Sequence, residues 1–524
     1  MRRFRPGRDP RAVRHAAAGG HARAAGQHVV VVGGGIAGIS AALILAERGV
    51  RVSLLEREAT WGGRVRSWDL PDGRSMSRGF HAFFGQYYTL RSILRRADPG
   101  LANLISIGDY PLQLADGPRD SFRGIPRTPP WSVAAFALRS RSFPARQLAR
   151  VDVRAALSLL QTDFPQTFAE YAGESAQDFL DRLRFPHDAR HLALEVFARS
   201  FFADPGDFSA AELVGMFHTY FMGSAEGLVF DVPTDAYSAI LWDPLVDRLR
   251  GLGVTAETGV TVTGISSGPD GVRVETADRS LAADAVVLAA DPRAARDLLT
   301  AVPATGSAWA GWVRTVGSQR NAPPFAVWRL WLDRPAGAQV PAFIGTSGFG
   351  PLDNVAVLDR FEATAQAWRE AHGGSVIELH AYAVAGAALT GGGGRAAGSD
   401  GLAEELHRQL GRLYPDLAAA GVRHEEWLVA DDCPLIGTGP WAERPTVATP
   451  DPRIVLAGDW LRTDEPVALM ERAALTGVHA ANRLLADWGV AGEDWWSVPL
   501  TGVLHRPVRR ARAARGRFAA GAAR

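Results

Sequence analysis

The chain has 524 residues, 47% of them hydrophobic, and 57 basic against 56 acidic side chains give a formal charge of +1, enough material for two interleaved domains with their own cores. Lysine is absent and Cys433 is the single cysteine, which excludes lysine-dependent chemistry, an intramolecular disulfide, a CxxC pair and a Cys-rich metal cluster, so no metal site is expected. No run of about 18 apolar residues is present to span a bilayer, and Walker A, HExxH and GxSxG patterns are missing.

Residues 1–27 carry seven arginines and one acid, Asp9, in an Ala/Gly/Arg context with no apolar core segment, which predicts a disordered basic tail and not a secretory signal. The run VVVVGGGIAGISAALILAERGVRVSLLE (29–56) follows. Four valines make a buried parallel strand, and Gly33-x-Gly35-x-x-Gly38 turns it into a helix. The first glycine allows the tight turn, the second lets backbone approach a pyrophosphate, and the third lets helix pack on strand. The helix runs to about Arg48, Gly49 stops it, and a second strand ends at Glu56, placed to hydrogen-bond a ribose 2′-OH. A dinucleotide site follows, with Gly33, Gly35, Ala37, Gly38, Glu56 and Arg57 as its candidate contacts. Gly62-Gly63-Arg64 lies just beyond.

Residues 96–250 are rich in helical patterning. Within them, Trp131 to Leu138 is an apolar segment backed by Arg139, Arg141, Arg146 and Arg150, which suits either a helix at a membrane interface or one packed on the core. The Phe197 to Phe230 region, with Phe201, Phe202, Phe217, Tyr220, Phe221, Met222 and Phe230, suits a long apolar tunnel or an ordinary core. Val254 to Ile265 and Leu281 to Ala290 read as a strand pair completing the nucleotide domain, with Val262 placed to meet an adenine. Phe325 to Trp331 alternates only partly and reads as part of a second sheet, and Gly391 to Gly398 as a connecting loop. Ile454 to Trp460 is an apolar strand running into Gly458-Asp459, and Pro466 to Glu471 opens a helix continuing through Ala481. Residues 495–524 carry seven arginines and no acid, a second basic tail. The tails lack interleaved aromatics, so nucleic acid is not an expected partner.

Gly62-Gly63-Arg64 resembles the second diphosphate-binding motif of FAD-dependent enzymes of the amine oxidase and phytoene desaturase superfamily, in which Arg64 would meet the pyrophosphate. The segments 454–460 and 466–471 resemble that superfamily's closing motif. The resemblance implies FAD, with Gly63, Gly458 and Asp459 at its diphosphate and ribityl part, Gly79 and Phe80 beside the ring, and Val467, Ala468 and Leu469 presenting a helix N-terminus to the N1/O2 edge of the flavin. The expected fold is α/β. A Rossmann-type FAD-binding domain is assembled from residues 28–95, 251–300 and 436–494, and an interleaved α+β substrate domain from 96–250 and 301–435. The missing lysine departs from many amine oxidases, where a lysine and a bound water assist flavin oxidation. Cys433 in ADDCPLIG is read as a packed thiol in preference to a covalent flavin tether.

MSRGFHAFFGQYYTL (76–90), DYPLQ (109–113), RSFFADP (199–205), GSAEG (223–227) and PVALMER (466–472) resemble the carotene desaturase/methyltransferases of actinobacteria, the isorenieratene synthases, over about residues 28 to 490. That implies conversion of the β-ionone rings of a carotene to aromatic rings with a 1,2-methyl shift, an apolar pocket, and uptake of a lipophilic carotenoid by an enzyme held peripherally at the inner face of the cell membrane. No motif specifies the terminal electron acceptor. Hydride loss to FAD leaves a delocalised cation that must lose a proton, and His81, two residues past Gly79, is the first candidate acceptor, ahead of Asp432, with Glu226 and Glu471 behind them. An acyclic carotenoid desaturase, a polyene isomerase, an amine oxidase and a non-catalytic flavin protein remain as alternatives.

Overall fold

The computed structural model describes residues 5–505, apart from 144–145, 147–148, 150, 153–156, 187–188, 191–200, 304–306 and 385–398. The strand His28–Val32 is buried along its whole length, and its valines alternate between two cores. Val29 and Val31 share one with the helix Ile36–Glu47, while Val30 and Val32 share the other with Val286 and Leu288. A strand covered on both faces has no polar side, which is why it reads as an unbroken valine run. Five parallel strands form this sheet in the order Thr255–Glu257, Arg51–Leu55, His28–Val32, Ala285–Leu288 and Ile454–Leu456. The strands expected as a pair therefore do not touch. They enter on opposite sides of the first two strands, because crossover connections free parallel neighbours from sequence order. Val262–Gly268, Gly271–Thr276 and Ser280–Ala283 form a separate antiparallel meander between them. The helix Leu469–Asp487 lies against Ile36–Glu47, where a Cβ on Gly477 would come within 2.3 Å of the Ala37 carbonyl oxygen.

A second sheet has seven strands, in the order Val422–Ala430, Phe325–Leu332, Ser375–Ala381, Asn354–Val357, Phe343–Ser347, Leu112–Leu114 and Arg119–Asp120. All eight residues of Phe325–Leu332 are buried. Ala326, Trp328 and Leu330 pack with Leu402, Leu406 and Leu410 of the covering helix, while Phe325 and Val327 face the opposite side. Burial on both faces is the reason its alternation is only partial. Two domain limits move from the expected ones. Ser307–Gly317 packs Trp309 and Val316 into the core of Val30 and Val286, and the helices Ala210–Phe217 and Asp243–Gly251 join the core of Ile36–Glu47. An amphipathic pattern says that a helix has a buried face without saying against which sheet.

The expected disorder at the tails is corrected for residues 5–27 and 495–505. Val13–His15 pairs antiparallel with Trp495–Ser497. Asp9 is fully buried and accepts from the N–H groups of Ala225 and Arg11, both at 2.8 Å, and its own N–H donates to Glu226 at 2.8 Å. At the other end, His218 Nε2–H donates to the Pro499 carbonyl at 2.6 Å. Arg/Ala/Gly composition argued against a packed core, but backbone pairing and one buried carboxylate hold these segments without one. The 391–398 loop, Arg150, Arg199 and residues 506–524 lie outside the described residues.

Asp9→Ala removes the acceptor from the buried Ala225 N–H, and chemical denaturation is expected to show a loss of about 1–3 kcal/mol. An unchanged midpoint would mean that the segment is not part of the folded structure.

Candidate active site

One cavity of about 610 Å³ is lined from both domains. On the nucleotide side its wall is built by Gly33, Gly35, Ala37, Glu56, Arg57, Gly63, Arg64, Val262, Gly458, Asp459 and Leu469. Glu56 ends its strand buried, with one carboxylate oxygen accepting the Gly34 N–H at 2.7 Å and the other the Glu58 N–H at 2.8 Å. Held in this way, it would present further lone pairs to ribose hydroxyls. Gly38 does not line the cavity. A Cβ there would lie 1.8 Å from the Gly33 carbonyl, so it serves the strand-to-helix packing expected of the third glycine. Gly62 N–H donates to Gly34 O at 2.9 Å, which brings Gly62-Gly63-Arg64 against the first turn. Arg64 makes a two-pronged contact with Asp459, at 3.0 and 2.5 Å. Burial works against the Arg64 charge, but Asp459 together with its other neighbours more than offsets it and the guanidinium stays cationic beside the glycine turn. Leu469 takes a left-handed φ of 53° at the first position of the long helix and lines the cavity with Met470 and Ala473, whereas Val467 and Ala468 do not reach it. A glycine turn, an anchored acid, a fixed cation and a helix N-terminus on one wall suit the ribose, the diphosphate and the flavin of FAD.

The other side of the cavity carries a patch of aromatic and apolar side chains. Phe80 stacks on Phe343 at 4.2 Å and meets Phe230 edge-on at 5.7 Å, with Phe84, Tyr110 and Leu112 beside them. Of the aromatic run expected as tunnel or core, Phe202 and Phe230 line the cavity, while Phe201, Tyr220 and Met222 are core residues. Gly79 is not beside the cavity, contrary to expectation. A Cβ on it would meet His380 at 2.7 Å and Val327 at 3.0 Å, so its glycine is required by the second sheet.

His81 does line the cavity. Its Nδ1–H donates to the Gly79 carbonyl at 2.8 Å, which leaves the lone pair on Nε2. Burial pushes its pKa down to about 4, so it is neutral at physiological pH but a weaker base than a free imidazole. Asp432 reaches the cavity wall, yet its carboxylate is bound to Arg78 Nη2 at 2.5 Å. Glu226 accepts from Tyr88 Oη and from Asp9 N–H, and Glu471 accepts the Thr89 and Leu90 N–H groups at a helix start. Neither lines the cavity, because both carboxylates serve packing. Burial pushes Glu471 up to about 8, against the opposing effect of its two N–H donors. Cys433 also borders the cavity, and burial pushes its thiol up to about 12, consistent with the packed, unreactive role expected of it.

A polar group missed in the sequence sits on the same wall. Glu378, His380 and Tyr382 alternate along Ser375–Ala381 and the residue beyond it, and His380 and Tyr382 line the cavity. Their period-2 spacing was the available signal, hidden in a strand whose remaining residues are small or apolar.

A nucleotide cradle that opens directly into an aromatic chamber sets a redox cofactor against an apolar substrate, and this is the organisation of an FAD-dependent oxidoreductase. A family profile described as flavin containing amine oxidoreductase matches residues 36–485. A carotenoid phi-ring synthase from Streptomyces griseus is 50% identical over 511 residues, covering 96% of each chain, and one from Chlorobaculum tepidum is 26% identical over 607 residues, covering 90% of this chain and 91% of that one. The crystal structure of an oxidoreductase from Methanosarcina mazei shares the fold, with a TM-score of 0.63 at 16% identity over 86% of this chain and 99% of that one. The chain belongs to the flavin-containing amine oxidoreductase family and is a homologue of the carotenoid phi-ring synthases within it.

Glu56→Ala and Arg64→Ala would each remove a charged group placed to meet FAD, and each is expected to weaken its binding by about 1.5–3 kcal/mol, or roughly 10–150-fold in Kd. Flavin fluorescence after dilution measures this, and full retention in both variants would remove the cradle assignment.

Proposed function

We propose that the enzyme converts the β-ionone rings of a cyclic carotene to aromatic rings, with migration of one methyl group, and takes its substrate from a membrane surface. The observation that carries this reading is the continuity of the FAD cradle with a chamber walled by Phe80, Phe84, Phe230 and Phe343. The relatives named as carotenoid phi-ring synthases support it.

Each ring must lose two hydrides and two protons. When bound, FAD supplies the hydride acceptor. The chain does the rest. Stacked phenylalanines hold the ring by contact area and exclude water, and their faces stabilise the positive charge left on the polyene while the methyl group moves. His81 lines the same space with its lone pair on Nε2, and even a weak base suffices for a proton leaving a carbocation.

Membrane docking is assigned to Trp131–Arg139, in preference to the core-packing alternative. Trp131 and Leu138 are 68% and 84% exposed, while Phe136 on the other side stacks on Phe122 at 4.4 Å. One side of this short helix is thus seated in the protein and the other presents bare hydrocarbon beside Arg139 and Arg141. Among the described residues no helix is long and apolar enough to cross a membrane.

Expression in cells that make β-carotene is expected to yield carotenoids with aromatic end groups, identified by absorption and mass. Lengthened or isomerised polyenes with unchanged rings would favour an acyclic desaturase or an isomerase. Replacing Trp131 and Leu138 together by serine is expected to lower binding to anionic vesicles about tenfold or more per side chain, from the burial each loses. If binding survives that change but falls with salt and with removal of residues 506–524, the basic segment is the anchor instead.

A further inference from the structure

A proton leaving the ring needs somewhere to go, and His81 leans on a neutral carbonyl that does little to hold an imidazolium. The second sheet supplies a better-founded acceptor. Arg329 faces Glu378 across the ladder and donates from Nε at 2.9 Å and Nη2 at 2.6 Å to one carboxylate oxygen. Both side chains are buried. Burial alone would raise the Glu378 pKa, but Arg329 and His380 together bring it down to about 2, so the carboxylate is ionised and can only accept. Its other oxygen lies 3.1 Å from His380 Nε2, and two lone pairs would repel at that distance, so Nε2 carries the hydrogen. The Phe80 N–H also points at Nε2, but at 3.4 Å, and does not compete with an anion.

With the tautomer fixed in this way, Nδ1 holds a lone pair and accepts the Tyr382 hydroxyl at 2.9 Å. Asn354 Nδ2–H donates to the same hydroxyl oxygen at 2.9 Å. Tyr382 thus turns its one hydrogen inward, to a base oriented by an ionised acid, while its oxygen keeps a lone pair at the wall of an apolar chamber. The backbone N–H of Tyr382 is tied to Asp353 at 2.6 Å, and its ring meets Phe202 edge-on at 4.8 Å, so the hydroxyl is held in place from both ends. A buried ionic network of this kind gives no stability that well-packed apolar residues would not. Its opening onto the chamber calls for a role there.

We propose that Tyr382 accepts a proton from the ring cation and relays its own to His380, with the Glu378 carboxylate, fixed in place by Arg329, holding the resulting imidazolium. The inference rests on the ring-oxidation reading above. In the step, a ring C–H bond breaks and its electron pair becomes the new ring double bond. The proton bonds to Tyr382 Oη as the Oη hydrogen moves to His380 Nδ1. The two electrons lost in the preceding hydride transfer reside on FAD, so the relay carries protons only. Tyr382 is the catalytic group, and His380 and Glu378 act through it.

The test is anaerobic single turnover of the FAD-loaded enzyme with β-carotene in lipid micelles, following flavin bleaching and the once-dehydrogenated, deprotonated ring product separately, since one FAD removes one of the two hydrides. Tyr382→Phe is expected to bleach within about threefold of the unaltered enzyme while the once-dehydrogenated product forms about 10²–10³-fold more slowly, and His380→Gln to show the same split. Wild-type product rates in Tyr382→Phe, or equal losses of bleaching and product, would overturn the relay. Independently of turnover, ¹⁵N spectra of histidine-labelled protein should show His380 as the Nε2–H tautomer, with its Nδ1 signal moving in Tyr382→Phe. An Nδ1–H tautomer would overturn the proposal even where a variant fails to fold. If the unaltered enzyme leaves β-carotene untouched, the substrate reading fails and the relay from its ring fails with it, while the tautomer still decides whether the Tyr382–His380–Glu378 hydrogen-bond chain exists.

Discussion

The Gly62 N–H donates to the Gly34 carbonyl at 2.9 Å, and the placement of the rest of the site follows from that contact between two backbones. It requires that no side chain intervene. A Cβ on Gly34 would sit 2.4 Å from the Trp61 ring, and one on Gly62 would sit 2.3 Å from Trp242. Two indoles thus clamp the pair from outside while Gly35 and Gly63 are left facing the cavity. From this junction Arg64 reaches Asp459 at the far end of the chain, and the strands Ser67–Asp69 and Ser75–Ser77 carry the backbone on to Phe80 and His81. The cradle and the chamber are therefore built on one short path, and a shift at the glycines would displace both.

The chamber joins two environments that ordinarily exclude each other. Its phenylalanines lower the local dielectric, which suits a hydrocarbon, and the same low dielectric makes an unpaired polar group costly. Several polar groups at its edge are accordingly tied up. Asp432 is bound to Arg78, His81 to a carbonyl, and Glu378 to Arg329 and His380. Glu362, 3.8 Å from Arg329, shows what happens at the margin of such a network, since burial pushes it up to about 7 even with the guanidinium near.

The nucleotide half was legible because its constraints are local. Turn, helix and terminal acid lie within one βαβ run, and spacing alone places Gly33, Gly35 and Glu56 on one wall. The chamber was less legible, since it depends on pairings between distant segments, such as Leu112–Leu114 beside Phe343–Ser347. Polar residue types in a sequence do not reveal their partners, so Glu226 and Glu471, committed to packing, looked as available as His81. Glu378, His380 and Tyr382 were passed over because a strand buried on both faces has no polar side against which their shared face would stand out. The tails were misjudged for the opposite reason. Composition describes what side chains can bury, while Val13–His15 is held by its backbone.

That terminal pairing has a consequence for the birth of the molecule. His15 and Ser497 are joined across 482 residues of chain. At about 5–20 residues per second, roughly 25–100 s of synthesis separate the first strand from the partner that completes it. Throughout that interval the amino-terminal segment has an open edge, and Asp9 and Glu226, which meet through the Asp9 N–H, can close their own contact long before the ladder forms. The buried carboxylate then acts as a temporary mooring, keeping the unpaired strand close to the body of the nascent protein until the last segment arrives to cover it.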